Sequence, residues 1–275
     1  MSNIVIQKFG GTSLADTKRF KAVAKIIKET SETGKKVVAV VSAMAGETQR
    51  LIDLAKGVQE IPDPREYDAL ISSGEQVSVA LLAMSLRSEN LKSKSYTAFQ
   101  LGLRTDDFHG KARISSIDTK NLLMDISSNI TPVITGFQGI NEEGDITTLG
   151  RGGSDTSAVA LAVALNAEEC QIYTDVNGVY TTDPNVYEKA KKIDKLTFEE
   201  MLELSSLGAK VLQIRSVEFA SKYNMPIRVK SSFTNEEGTL INGDENMEDA
   251  LISGVAHTND EAKLTIRKVP DIPGI

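Results

Sequence analysis

The chain has 275 residues, 31 Lys and Arg against 38 Asp and Glu, a net charge of −7 and 40% hydrophobic residues. At about 150 residues per domain this is one large or two modest globular domains, able to bury a core without staples. The single Cys170 excludes a disulfide scaffold and a zinc site built from four cysteines, the acidic balance argues against non-specific nucleic-acid binding, and no apolar run approaches the roughly 20 residues of a membrane span.

In chain order, Ile4 to Phe9 predicts a short strand ending in Gly10-Gly11. No basic and apolar export signal is visible in MSNIVIQKFGG, which with the lone thiol predicts a cytoplasmic protein. Residues 16–33 predict a helix, with Phe20, Val23, Ala24, Ile26 and Ile27 on one face, Asp16 as N-cap and Gly34 as the stop. Val37 to Val41 is a continuous apolar strand of the buried parallel kind. Residues 75–88 predict a helix, Val133 to Phe137 a strand, Ser154 to Leu165 an Ala/Val-rich buried helix and Ile172 to Thr174 a strand. Helices follow at 197–206 and 211–223, then a strand at Ile227 to Lys230. Strands alternating with helices imply βαβ units and a parallel-rich sheet covered on both faces. The polar, acidic stretch TNEEGTLINGDENMED predicts a linker over 233–250. Leu264-Thr265-Ile266 then predicts a strand without partner elements, as though a further domain began there.

Two glycine loops carry most of the chemistry. Lys8-Phe9-Gly10-Gly11-Thr12-Ser13 follows the first strand, and Leu149-Gly150-Arg151-Gly152-Gly153-Ser154-Asp155 opens the Ala-rich helix. Consecutive glycines let backbone approach a ligand, and a helix N-terminus favours an anion. Neither loop is GxGxxG or GxxxxGK[ST], so neither supports a dinucleotide fingerprint or a Walker loop. Lys8 can lie over a phosphate, and Arg151 can grip a carboxylate bidentately. Asp175, Asn177 and Gly178 follow a strand end, where α/β folds bind ligands, although Asn-Gly and Asp-Pro are also plain turn formers. His109 and His257 lack metal-ligand spacing and predict structural or surface roles, and Cys170 predicts a small core residue.

KFGGTS, ISSGEQVS at 71–78, TLGRGGSDTSA at 148–158, YTDVNGVYTTDP at 173–184 and SSLGAKVLQIRSVEFA at 205–220 together resemble the aspartate kinases of the amino-acid kinase family. The resemblance runs in order from residue 1 to about 232. It implies an α/β fold, an αβα sandwich with a parallel-rich central sheet of amino-acid kinase type. Residues 1–232 would be the catalytic domain, and 251–275 would resemble the truncated start of an ACT-type regulatory domain.

The implied reaction moves the γ-phosphoryl group of ATP to the β-carboxylate of L-aspartate, giving 4-phospho-L-aspartate and ADP. It is the first step towards lysine, threonine and methionine. The resemblance makes Lys8 and Lys210 the cations on the phosphates, with Asp155 as an orienter. It puts L-aspartate among Ser42, Thr48, Glu75, Arg151, Gly153 and Ser154, with Arg151 on the α-carboxylate and Glu75 on the ammonium. It puts ATP on Gly10, Gly11, Thr12, Ser13, Thr174, Asp175, Tyr180 and Asp183, besides the two lysines. Mg2+ would ride mainly on the phosphates, so no residue is assigned to it. The full-length form would be a homo-oligomer, with no nucleic-acid or membrane partner. Where the family often reads TADPR, this chain has Thr182-Asp183-Pro184-Asn185, without the arginine. Two rivals stay open: a sister kinase for glutamate, acetylglutamate, carbamate or a nucleoside monophosphate, and a nucleotide-binding subunit without turnover.

Overall fold

The computed structural model describes residues 3–206, 211–243 and 254–256. The chain starts with β1 (Ile4–Phe9), a single 3-10 turn at Thr12–Leu14, α1 (Thr17–Glu32) and β2 (Lys36–Val41). Three helices follow, α2 (Glu47–Val58), α3 (Pro64–Ile71) and α4 (Ser73–Ser88). Next come β3 (Ser93–Tyr96), α5 (Ala98–Leu101), β4 (Leu103–Thr105), β5 (Ile114–Ile117), α6 (Lys120–Ser127) and β6 (Thr131–Thr135). The hairpin β7 (Gln138–Ile140) and β8 (Ile146–Thr148) leads into α7 (Gly153–Ala164) and β9 (Glu169–Thr174). The last elements are β10 (Lys195–Thr197), α8 (Phe198–Ser206), α9 (Ile214–Tyr223), β11 (Ile227–Ser231) and β12 (Thr239–Asn242).

Eight of these strands form the main sheet, in the order β10-β12-β11-β9-β1-β2-β6-β3. Every neighbouring pair is parallel except β11 with β12. The side chains of β1 and β2 divide between two cores, as the two-residue period of a strand requires. Ile4, Ile6, Val38 and Val40 join α7 through Ala158, Val159, Leu161 and Ala162. Phe9, Val37, Ala39 and Val41 join Phe20, Val23 and Ile27 of α1 and Val79, Leu82 and Leu86 of α4. Helices therefore cover both faces, and the molecule is an αβα sandwich. A second sheet, β5-β4-β7-β8, is re-entered from β6 through β7 and carries the chain into α7.

The predicted helices and strands recur within a few residues of their expected ends. Asp16 caps α1, its carboxylate accepting from Arg19 N at 2.9 Å. Three expectations change. The first glycine loop enters a one-turn 3-10 segment rather than a helix, because Ser13 and Leu14 bond back to Gly10 and Gly11. The strand expected to reach Phe137 stops at Thr135, since Phe137 turns to φ +69°. The expected linker 233–250 is interrupted by β12, a strand of the main sheet with Thr239 and Ile241 buried. The alternation in TLIN was masked by its acidic flanks, whose solvated charges say nothing about four residues between two strands.

The helical stretch Pro64–Ser88 is apolar and long enough to pass a span test by length and composition. Half of its most apolar window is buried inside the fold, as a core helix requires. Residues 254–256 lie against the excursion that follows β9, with Val255 N donating to Thr181 O at 2.7 Å. The strand expected at Leu264 to Ile266, His257 and most of the expected regulatory segment 251–275 fall outside the described residues.

Candidate active site

After β1 the chain builds outward through β2 towards β6 and β3, then returns on the other flank of β1 as β9. Such a reversal opens a crevice at the carboxyl ends of the strands on either side. Lys8, Phe9 and the first glycine pair emerge there. Gly10 N donates to Tyr173 O at 3.2 Å, and a Cβ on Gly11 would stand 3.1 Å from Ala43 O. The loop is thus wedged between the ends of β9 and β2, tightly at Gly11, where a side chain would crowd Ala43 O.

Lys8 ends beside this loop. Its Nζ lies 2.6 Å from Oδ1 of Asp155 in the first turn of α7, and the two side chains are 12% and 11% exposed. Close packing brings α7 here: a Cβ at Gly136, just past β6, would sit 2.7 Å from Ser154 Cβ. Gly152 turns at φ +69°, where a Cβ would strike the Gln213 side chain, and a Cβ on Gly153 would press on Leu149 and Phe137. Arg151 stands exposed on this loop, its carbonyl accepting from Gln213 Nε2 at 3.0 Å.

Glu75 reaches the crevice from the first turn of α4. It is 3% exposed, and its Oε1 accepts from Ala43 N at 3.0 Å, beside Ser42 at the end of β2. Its Oε2 is buried without a hydrogen-bond partner. Burial pushes its pKa up to about 7, against the opposing pull of the Ala43 and Glu75 backbone N–H groups. Thr48 is the second residue of α2, after Gly46, which turns at φ +77°, and Glu47 of that first turn lies over Gly74.

On the other flank, Ser13 Oγ lies 2.7 Å from Ser232 Oγ, and Ser232 N donates to Thr174 O at 2.9 Å. The end of β11 therefore ties the first loop, with Thr12 and Ser13, to the end of β9. Thr174 Oγ1 donates to Asp175 Oδ1 at 3.2 Å. Tyr180 bridges to Lys192, and Asp183 Oδ1 accepts from Asn185 N and Nδ2 at 2.8 and 3.0 Å. Asn185, where the family often has arginine, is thus turned onto its own loop. Lys210 lies outside the described residues.

Sequence reasoning overlooked Ser232, Arg19 and Phe137. Arg19 donates from Nη2 to Ser232 O at 2.8 Å and stacks 3.8 Å from the centre of the Phe233 ring. A search for polar residues at strand carboxyl ends would have found Ser232, whereas Arg19 and Phe137 had no sequence signal. His109 and Cys170 have the structural settings expected of them, the first on Asp68 at 2.9 Å and the second fully buried with its thiol pKa raised by burial.

Residues 3–231 match the amino acid kinase family. The chain belongs to that family. It is 57% identical over 274 residues to an aspartate kinase of Stutzerimonas stutzeri, covering 99% of this chain and 66% of that protein. The fold superposes with TM-score 0.78 on the aspartate kinase of Synechocystis, 46% identical, over 87% of this chain and 40% of that one. It superposes with TM-score 0.80 on E. coli aspartokinase III in complex with aspartate and ADP, 31% identical, over 88% of this chain and 65% of that one. The chain spans about two thirds of the length of the curated relatives it matches. In this member of the amino acid kinase family, a parallel-rich sheet supports the crevice, and a lysine and a carboxylate with an unpartnered oxygen converge on it.

Proposed function

We propose that this chain is the catalytic part of an aspartate kinase, transferring the γ-phosphoryl group of ATP to the β-carboxylate of L-aspartate to give 4-phospho-L-aspartate and ADP. The observation that carries the reading is Glu75. A carboxylate buried with one oxygen unpartnered asks for a cation, and the ammonium of a free amino acid supplies one. Arg151 is the complementary group for the α-carboxylate, and Ser42, Thr48, Gly153 and Ser154 line the acceptor between them. The identity with aspartate kinases over nearly the whole chain supports the choice of amino acid.

The acceptor carboxylate is already ionised at neutral pH, so the site needs no general base. Its task is to hold two anions in line and to neutralise the charge of the moving phosphoryl group. Lys8 does this from the end of β1 beside the glycine loop, and Asp155 holds its ammonium at one place while lowering the entropy lost as the reaction proceeds. Gly10, Gly11, Thr12 and Ser13 present backbone and hydroxyl donors to the phosphates. Thr174, Asp175, Tyr180 and Asp183 flank the nucleotide, and Lys210 adds a second cation. Mg2+ would ride mainly on the phosphates, where it would supply further neutralisation of their charge. Residues 1–232 with β12 make the catalytic unit, 251–275 open an ACT-type regulatory region, and buried Cys170 suits a reducing, cytoplasmic setting.

The test is ADP release with MgATP and L-aspartate, L-glutamate, N-acetylglutamate or UMP as acceptor. Turnover with aspartate alone is the expected result. Preference for an acceptor without a free ammonium would remove Glu75 from its role and the reading with it.

A further inference from the structure

Asp68 is a fully buried carboxylate on α3 that phosphoryl transfer does not use. Its Oδ1 accepts from Thr148 Oγ1 at 2.6 Å. Its Oδ2 accepts from Thr148 N and Gly110 N, both at 2.9 Å, and meets His109 Nδ1 at 2.9 Å. Four donors replace the water this anion has lost, which a buried charge requires.

The donors belong to one place. Thr148 ends β8 and leads directly into Leu149-Gly150-Arg151. Ala112 N closes on Thr148 O at 2.9 Å, and a Cβ on Gly150 would stand 2.9 Å from Gly110 O. In the other direction, Ser72 N donates to Asp68 O at 3.1 Å, and α4 opens at once with Ser73, Gly74 and Glu75. Gln138 Nε2 of β7 donates to Ser72 O at 2.9 Å, a second tie from this strand pair to the same joint. One short stretch of chain therefore carries Glu75 at one end and grips the Arg151 loop at the other.

We propose that Asp68 is a positioning residue that sets Glu75 against Arg151, and so fixes the spacing at which the α-ammonium and α-carboxylate of the acceptor are held. This rests on the acceptor reading given above. A clamp of two opposite charges discriminates only if its ends are held to about half an ångström, and neither end belongs to an element that fixes the other. The loop has a separate hold on its far side, where Arg215 Nη1 donates to Leu149 O at 2.7 Å and Nη2 to Ala112 O at 3.1 Å. Losing Asp68 therefore releases the loop from α3 without releasing it from α9.

Asp68→Asn is near-isosteric but turns an amide N–H towards donors. We expect the KM for aspartate to rise at least about tenfold while the KM for ATP stays within about twofold. Hydrogen exchange of peptide 147–153, read without substrate, should quicken while that of β1 is unchanged. If Asp68→Asn does not fold, Thr148→Val removes only the 2.6 Å hydroxyl bond and should raise the aspartate KM by about threefold. Equal rises in both KM values, a lower kcat with an unchanged aspartate KM, or unaltered exchange at 147–153 would each overturn the proposal. Wild-type silence towards aspartate would instead defeat the acceptor reading, and the exchange measurement would still decide whether Asp68 holds the loop.

Discussion

At the scale of single residues, Glu75 and Lys8 show how differently one crevice treats its charges. Lys8 has its counter-charge in place at 2.6 Å, whereas Glu75 has an N–H on one oxygen and nothing on the other. The folded state therefore holds a proton on Glu75 that the unfolded chain has lost above pH 4.5. Stability must fall as pH rises from 4.5 through about 7, by on the order of 3 kcal/mol across that window. Glu75→Gln removes the titration. Without substrate, the variant should unfold at a higher temperature than wild type at pH 8 and lose that advantage at pH 4.5. The same change should raise the aspartate KM at least about tenfold, about 1.4 kcal/mol of lost pairing. An advantage at pH 8 with an unchanged KM would mean that the carboxylate is buried for another reason.

At the scale of elements, the N-terminus of α7 is where sequence and packing meet. GRGGSDTSA announces a tight turn into a helix, yet what the glycines accommodate is visible only in the fold. Gly136 follows β6 and faces Ser154 at close range. Gly136→Ala must push Ser154 and Asp155 away from the crevice, and Asp155 carries Lys8 with it. The expected result is a kcat at least about a hundredfold lower, with Tm reduced by a few degrees. A variant that loses Tm but keeps kcat would show that α7 shifts without disturbing Lys8. Phe137 belongs to the same junction. Its φ of +69° is uncommon for a bulky residue, and Phe137 N donates to Ser157 Oγ at 3.1 Å, which holds the turn against α7.

For the molecule as a whole, the decisive element is β12. Thr239 Oγ1 accepts from Val179 N at 2.8 Å and donates to Ile193 O at 2.5 Å, and Ile241 is fully buried. These contacts join the 175–194 excursion to the sheet beside the proposed nucleotide flank. A chain ended at residue 232 loses the buried Ile241, the two Thr239 hydrogen bonds and the backbone pairing of β12 with both β10 and β11, at least about 5 kcal/mol. In a molecule of this size that should lower Tm by about 10 °C relative to a chain ended at 243, measured by calorimetry. Equal Tm values would make β12 an ornament of the sheet, and the boundary near 232 would be the true edge of the unit.

By itself the sequence determined the α/β class, the chain order of most long elements and the two glycine loops. Those properties are written locally: β-branched runs bury on both faces, helical periods repeat over several turns, and paired glycines stand at strand ends. It also pointed to Lys8, Asp155, Glu75 and Arg151, because unusual residue strings carry them. What it could not determine was who meets whom. The pairing of Lys8 with Asp155, the orphaned oxygen of Glu75, the bridge from Ser13 through Ser232 to Thr174 and the grip of Asp68 on Thr148 all join residues far apart in the chain. Such contacts depend on the order of strands in the sheet and on which backbone groups are left without water, and only the tertiary structure decides these.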